Sequence, residues 1–154
     1  MWRSTARRGS WPWSCRRSYP DSDSAIGLLA GAESRLGDAK AAYALVKAHL
    51  AKNPDDRKLV VIESSIAQEQ GDFAGAAKIL QGLLNSGNAQ AEDYNDFAWN
   101  ALFEGKVDAA ALQAAQQANL LTNRDNYAIL HTLGCVYAAQ GKTTEARQLA
   151  IEVM

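Results

Sequence analysis

Cysteine, long apolar runs and net charge are all in short supply in this sequence. Its two cysteines, Cys15 and Cys135, are too few for a disulfide framework, and they favour a reducing compartment such as the cytoplasm. The longest apolar runs fall far short of the roughly 20 residues that a membrane helix needs. The net charge of −1 gives no overall field that would favour nucleic acid or a membrane surface. These absences predict a soluble protein that binds neither nucleic acid nor membrane.

Catalytic motifs are missing as well. The sequence has no phosphate loop, dinucleotide fingerprint or Gly-x-Ser-x-Gly elbow. His131 and Cys135 have a spacing that zinc or a nucleophile–base pair can use, but no further ligand lies near and nothing orients the histidine. Glu92, Asp93 and Asp96 open a predicted helix, where carboxylates are favoured by the helix dipole. We therefore expect a non-enzymatic protein without a metal or cofactor.

Charge divides the chain into two chemically different parts. Residues 1–22 contain five arginines and one aspartate, a net charge of +4, among tryptophan, serine and proline. Residues 23–154 contain 11 basic and 16 acidic side chains, a net charge of −5, and have helical spacing. We expect a disordered leader over 1–22 and a folded part over 23–154. The leader's composition also fits a transit peptide, and an arginine–aromatic arm for nucleic acid is a third interpretation.

A glycine followed five residues later by an alanine recurs four times in the folded part. Successive glycines are 34, 34 and 36 residues apart, and the pairs are Gly37/Ala42, Gly71/Ala76, Gly105/Ala110 and Gly141/Ala146. The last unit also contains Leu133, Gly134 and Tyr137 at characteristic positions. This period, with these residue types, resembles the tetratricopeptide repeat, a helix–turn–helix unit of 34 residues. Another solenoid of helical pairs is the alternative architecture.

The resemblance implies an all-α, right-handed α-solenoid of about four antiparallel helix pairs. Each glycine would end helix A of its unit, Asp38 and Asp72 would cap helix B, and the alanine would lie where the paired helices cross. Pro54 would close the first unit, and two extra residues before the fourth unit would lie in the loop at 122–126. The expected units span residues 23–56, 57–90, 91–126 and 127–154, the last of them truncated.

Members of the tetratricopeptide repeat family bind a partner peptide in a concave groove, which positions 2, 5, 9, 12 and 13 of helix A line. The residues that we expect in this groove are Lys58, Val61, Ser65, Gln68, Asn95, Trp99, Leu102, Phe103, His131 and Cys135. Trp99 is the expected anchor, because aromatic residues dominate interface energies. The chaperone-binding branch of the family needs basic and amide side chains where Gly27, Gly31 and Asp96 stand here. Chaperone C-terminal tails are therefore disfavoured as partners.

The leading hypothesis is a protein–protein interaction module that binds a peptide or partner segment in the groove. The alternative is a C-terminal structural or regulatory repeat segment of a larger bacterial protein. It rests on the run YNDFAWNALFEGKVDAA, which is similar to the repeat tails of proteins with a transglutaminase-like domain upstream. The final helix has no capping helix after it, which predicts a missing downstream segment or self-association through that helix.

Overall fold

The computed structural model describes residues 23–152, with side chains from Ile26 onward, and the predicted leader lies outside this range. Within the range there are eight α-helices and no strands, and none of these helices is long and apolar enough to cross a membrane. The helices are α1 Asp23–Arg35, α2 Ala39–Leu50, α3 Arg57–Glu69, α4 Phe73–Asn85, α5 Ala91–Glu104, α6 Ala109–Leu121, α7 Tyr127–Ala139 and α8 Thr143–Glu152.

Consecutive helices pack as pairs that stack in chain order. The pairs are α1 with α2, α3 with α4, α5 with α6, and α7 with α8, and each second helix also packs on the first helix of the next pair. The odd-numbered helices form one row of the stack and the even-numbered helices form the other. The predicted all-α solenoid of helical pairs is confirmed.

The turns within the pairs have the predicted chemistry. The four repeat glycines have φ angles between 74° and 88°, a left-handed conformation that glycine adopts without a steric penalty. Asp38 Oδ1 accepts a hydrogen bond from the Ala41 amide at 3.0 Å, and Asp72 Oδ1 accepts one from the Gly75 amide at 2.8 Å. Each aspartate therefore caps the helix that follows its glycine, as expected.

The third unit departs from the predicted register. The repeat alanines of the first two units are fully buried, but Ala110 is exposed and Ala111 is fully buried in its place. The turn is longer here, because the capping residue Asp108 comes three residues after Gly105 instead of directly after it. The prediction that Ala110 makes the close helix–helix contact is therefore wrong, and Ala111 makes it.

Buried apolar side chains form two main clusters. The first cluster joins α1, α2 and α3 and consists of Ile26, Ala30, Ala42, Val46, Leu59 and Ile66. The second cluster joins α4 to α8 and consists of Leu80, Leu83, Phe97, Ala98, Ala114, Ala115, Leu130, Leu133, Val136 and Leu149. The two clusters meet inside the second unit, between the buried residues of α3 and those of α4.

The row of odd-numbered helices has two close contacts. Helix α1 packs directly on α3, and α5 packs directly on α7. Gly27 lies at the close contact of α1 and α3: a Cβ atom there would lie 2.6 Å from Ile62 Cδ1, so a larger residue would force the Ile62 side chain to move. Helices α3 and α5 do not pack as closely, although they are also neighbours in the row.

Polar side chains bridge the space between α3 and α5, which we call the α3/α5 seam. At one end Arg57 donates two hydrogen bonds to the buried carboxylate of Asp93, from Nε at 2.8 Å and from an Nη at 2.9 Å. At the other end Gln68 Nε2 donates to Asn100 Oδ1 at 3.0 Å, and Asn100 is fully buried. The middle junction of the helix row is therefore bridged by polar side chains at both ends, whereas the two outer junctions are closely packed.

Candidate functional site

Four aromatic rings meet on the row of odd-numbered helices. Trp99 and Phe103 of α5 lie edge to face with ring centroids 5.1 Å apart, and Phe103 stacks on Phe73 of α4 at 4.9 Å. The Trp99 ring also lies beside the His131 ring of α7, with centroids 6.3 Å apart. We call Phe73, Trp99, Phe103 and His131 the aromatic cluster. It connects the second, third and fourth units.

The aromatic cluster lies on the side of α5 that faces away from the core. Phe97, Ala98 and Ala101 are buried on the opposite side of this helix. Trp99 is half-buried, whereas Phe103 keeps 55% of its surface exposed even though it stacks on Phe73. Exposed apolar surface made of adjoining rings is typical of interaction sites. The cluster therefore leaves apolar ring surface exposed to solvent.

His131 and Cys135 extend this surface along α7. His131 is exposed, Cys135 is a half-buried free thiol, and its Sγ lies 3.8 Å from His131 Nε2. No group of three or more His, Cys, Asp or Glu side chains that could hold a metal ion occurs in residues 23–152. The pair is a polar edge of the aromatic cluster.

The groove candidates on α3 have mainly polar roles. Lys58 and Ser65 are exposed, and the Ser65 hydroxyl donates to the Val61 carbonyl oxygen at 2.9 Å. Val61 is half-buried against the second apolar cluster, and Gln68 belongs to the α3/α5 seam through Asn100. Helix α3 thus supplies a polar flank, whereas the rings come from α4, α5 and α7.

The two remaining candidates on α5 are partly shielded from solvent. Leu102 is half-buried and packs against the second apolar cluster. Asn95 Nδ2 donates to Asp96 Oδ1 at 3.5 Å, a long hydrogen bond, while Asn95 Oδ1 is buried and has no partner. Leu102 therefore belongs to the edge of the apolar core, and the only side-chain hydrogen bond of Asn95 is to the next residue of its own helix.

The three acidic residues at the start of α5 differ in whether they have a cationic partner. Asp93 is 1% exposed, accepts a hydrogen bond from the Gln90 amide at 2.8 Å and completes a capping box, besides its bonds to Arg57. The helix cap and the bonds to Arg57 therefore explain why a carboxylate is buried at position 93. Asp96 is half-buried, and neither it nor Glu92 forms an ion pair within the described part of the chain.

The pKa of the Asp96 carboxyl is raised above its ordinary value. Burial is the main cause, because it disfavours the charged form. The hydrogen bond from Asn95 opposes the shift, and the negative charges of Asp93 and Glu92 add to it. Asp96 is thus a carboxylate that has lost part of its hydration without gaining a cationic partner.

Sequence reasoning missed two residues that shape this region. Phe73 lies on helix B of the second unit, so a count restricted to helix A positions did not find it. The sequence feature that could have identified Phe73 is a large aromatic residue directly after the capping Asp72, at a position where solvent exposure is expected. Asn100 is fully buried, and its only signal was a polar residue within the apolar pattern of α5.

No protein-family model matches the sequence, and a search among curated protein sequences finds no similar protein. Solved structures do share the fold. The crystal structure of the MamA protein, which contains tetratricopeptide repeats, matches with a TM-score of 0.72 at 15% sequence identity. The match covers 90% of this chain and 74% of that chain. The protein therefore has a tetratricopeptide-like helical-repeat fold.

Proposed function

We propose that this chain is a non-catalytic protein-interaction module that binds a peptide segment of a partner along α3, α5 and α7, with the aromatic cluster as its anchor. The observation that carries the proposal is the exposed face of that cluster, above all Phe103 and the half-buried Trp99. Stacked helical repeats typically form extended binding surfaces, so the fold supports this class of function. The alternative of a repeat tail of a larger enzyme stays a hypothesis from the sequence.

The Trp99 ring has two neighbours that make it a suitable anchor. Phe103 holds one edge of the indole, and His131 lies beside it on the next unit. A rigid aromatic side chain in this setting offers a large contact area at a low cost in conformational entropy. Packing between α5 and α7 is the alternative role of the Trp99 ring, so stability and binding have to be measured separately.

The test uses random dodecapeptides displayed on phage, selected on the immobilised full chain. Peptides enriched on the parent should bind Trp99→Ala at least about 30-fold more weakly, because removing a central aromatic anchor costs about 2 kcal/mol or more. Titration of the synthetic peptides by fluorescence anisotropy measures this loss. The melting temperature of the variant should change little.

Tyr127→Ala is the matched control. Tyr127 is 76% exposed at the start of α7 and belongs to no ring contact in the described residues, so its loss removes an aromatic side chain away from the cluster. It should leave peptide binding unchanged. A Trp99→Ala variant that melts far below the parent but still binds the peptides would assign Trp99 to packing and remove the proposed anchor.

A further inference from the structure

The middle of the α3/α5 seam has a carboxylate, that of Asp96, with one weak donor and no cation beside it. Asp93, Asp96 and Asn100 recur at intervals of three and four residues, so they lie along one side of α5. Asp93 binds Arg57 and Asn100 binds Gln68, but the Asp96 carboxylate between them accepts only the long hydrogen bond from Asn95, while Asn100 Nδ2 donates to the Asp96 backbone oxygen at 2.8 Å. The Ser65 hydroxyl, a donor on α3, is already bonded to a backbone oxygen of its own helix.

Asp96 also adjoins the aromatic cluster. Glu92, Asp96, Trp99 and Phe103 follow one another at intervals of four, three and four residues, which places them on one face of α5. The first half of this stripe is acidic and the second half is aromatic. No cation neutralises its two carboxylates within residues 23–152, a range whose net charge is −5 from 11 basic and 16 acidic side chains. The stripe is therefore complementary to a segment with one cationic end and one apolar end.

We propose that the peptide segment bound by this protein carries an arginine or lysine three residues from an aromatic or large aliphatic residue. The cation lies against the carboxylate of Asp96 at the α3/α5 seam, and the apolar side chain lies on Trp99 and Phe103. This inference rests on the proposed function, and it adds the chemistry of the partner. A cation there would supply the ionic partner that the Asp96 carboxylate lacks and would offset its lost hydration. The Trp99 ring would offer the same cation a cation–π contact.

The spacing of three residues follows from helix geometry. Asp96 and Phe103 are seven residues apart, which is about 10 Å along a helix that rises about 1.5 Å per residue. A peptide in the polyproline II conformation advances about 3.1 Å per residue with three residues per turn, so side chains three residues apart project on the same side and are about 9 Å apart. A cation and an apolar residue that are adjacent in sequence would reach only one half of the stripe.

Two measurements test the proposal. The first is the sequence content of the dodecapeptides selected on the full chain, which should be enriched in arginine or lysine three residues from an apolar residue. The second is the affinity of a fluorescein-labelled peptide, GSGRSGFGSG, for the parent and for Asp96→Asn. The variant should bind about tenfold more weakly, because a charge-assisted contact at a partly desolvated site is lost. A peptide with glutamate in place of arginine should bind the parent more weakly than the arginine peptide binds Asp96→Asn. The Asp96→Lys variant should bind this glutamate peptide more tightly than the parent does.

Asp125→Asn is the matched control, because it removes the same charge from an exposed loop position whose side chain has no hydrogen-bond or ion-pair partner among residues 23–152. It should not alter binding. If peptides bind through Trp99 but show no preference for a cation, or bind Asp96→Asn as well as the parent, the inference is wrong and the proposed function stands. If no peptide binds, or binding is indifferent to Trp99, both fail. The melting temperature of Asp96→Asn confirms that the variant is folded.

Discussion

The junction between α1 and α3 and the junction between α3 and α5 join equivalent helices in different ways. At the first junction Gly27 lies close to Ile62 and apolar side chains fill most of the interface, with one hydrogen bond from Ser34 to Glu69 at its end. At the second, the α3/α5 seam, an arginine–carboxylate pair and an amide pair span the wider space. Repeats with the same glycine–alanine period therefore need not meet through the same chemistry.

This difference has consequences for cooperativity. In stacked repeats, stability is approximately a sum of the stability of each unit and of the interfaces between neighbours. An apolar interface weakens gradually when a side chain is trimmed. A buried ion pair is different, because removal of one partner leaves the other charge without compensation. We therefore expect the α3/α5 seam to be the point at which the stack is most easily divided.

Asp93→Ala should have the largest effect on stability. It removes the buried partner of Arg57 and the capping-box acceptor, and the loss should be about 3 kcal/mol because breaking such a pair costs about 3–5 kcal/mol. Arg57 is partly exposed, which favours the lower end of this range. Hydrogen exchange followed by mass spectrometry should show α1–α4 opening at a lower free energy than α5–α8, whereas the parent should open both together.

The double variant Arg57→Met with Asp93→Leu is the control for this prediction. It removes both charges at once, so no unpaired charge remains and most of the lost stability should return. If the double variant is as unstable as Asp93→Ala, apolar packing cannot replace the pair. Equal loss of protection in all eight helices of the single variant would show that the seam does not divide the stack.

Ala111→Leu should have the second-largest effect, and Ala110→Leu serves as its matched control one residue earlier. Ala111 is fully buried where α6 crosses its partner helix, so overpacking there should cost about 1–3 kcal/mol. Ala110 is exposed, and its substitution should change the free energy of unfolding by no more than about 0.5 kcal/mol. Urea unfolding of the two variants measures the difference. The opposite ranking would restore the register that the uniform repeat predicted.

These residues also show how far the sequence could predict the structure. The helix pairs, the positive-φ glycines and the Asp38 and Asp72 caps follow from local chemistry, so a repeating pattern of residue types was enough to find them. Ala111 could not be found in this way, because a turn that is longer by two residues shifts the packing without altering the glycine–alanine spacing. Contacts between units, such as Arg57 with Asp93, join residues 36 positions apart, and no local periodicity identifies the partner.

The candidate site was predictable to a similar degree. Trp99, Phe103 and His131 were expected near one another from their positions on successive A helices, and the ring contacts confirm that they are neighbours. Whether they bind a peptide stays a prediction. The contribution of Phe73 depends on how α4 is placed against α5, which is a property of tertiary packing. The raised pKa of Asp96 depends on its burial, and the sequence alone does not show that burial.

Asp96→Asn should have the smallest effect, and a stabilising one that depends on pH. A carboxyl group whose pKa is raised on folding stabilises the folded state below its unfolded pKa of 3.8, and that contribution is lost as the pH rises through the folded-state pKa. At pH 7 the parent therefore holds an unfavourable charge in the α3/α5 seam, whereas asparagine is neutral at every pH. Thermal melts should show a higher melting temperature for the variant at pH 7, and the difference should shrink as the pH is lowered towards 4. A variant that melts below the parent at pH 7 would mean that the Asp96 charge is already compensated within the seam, in which case a cationic partner would find nothing there to neutralise.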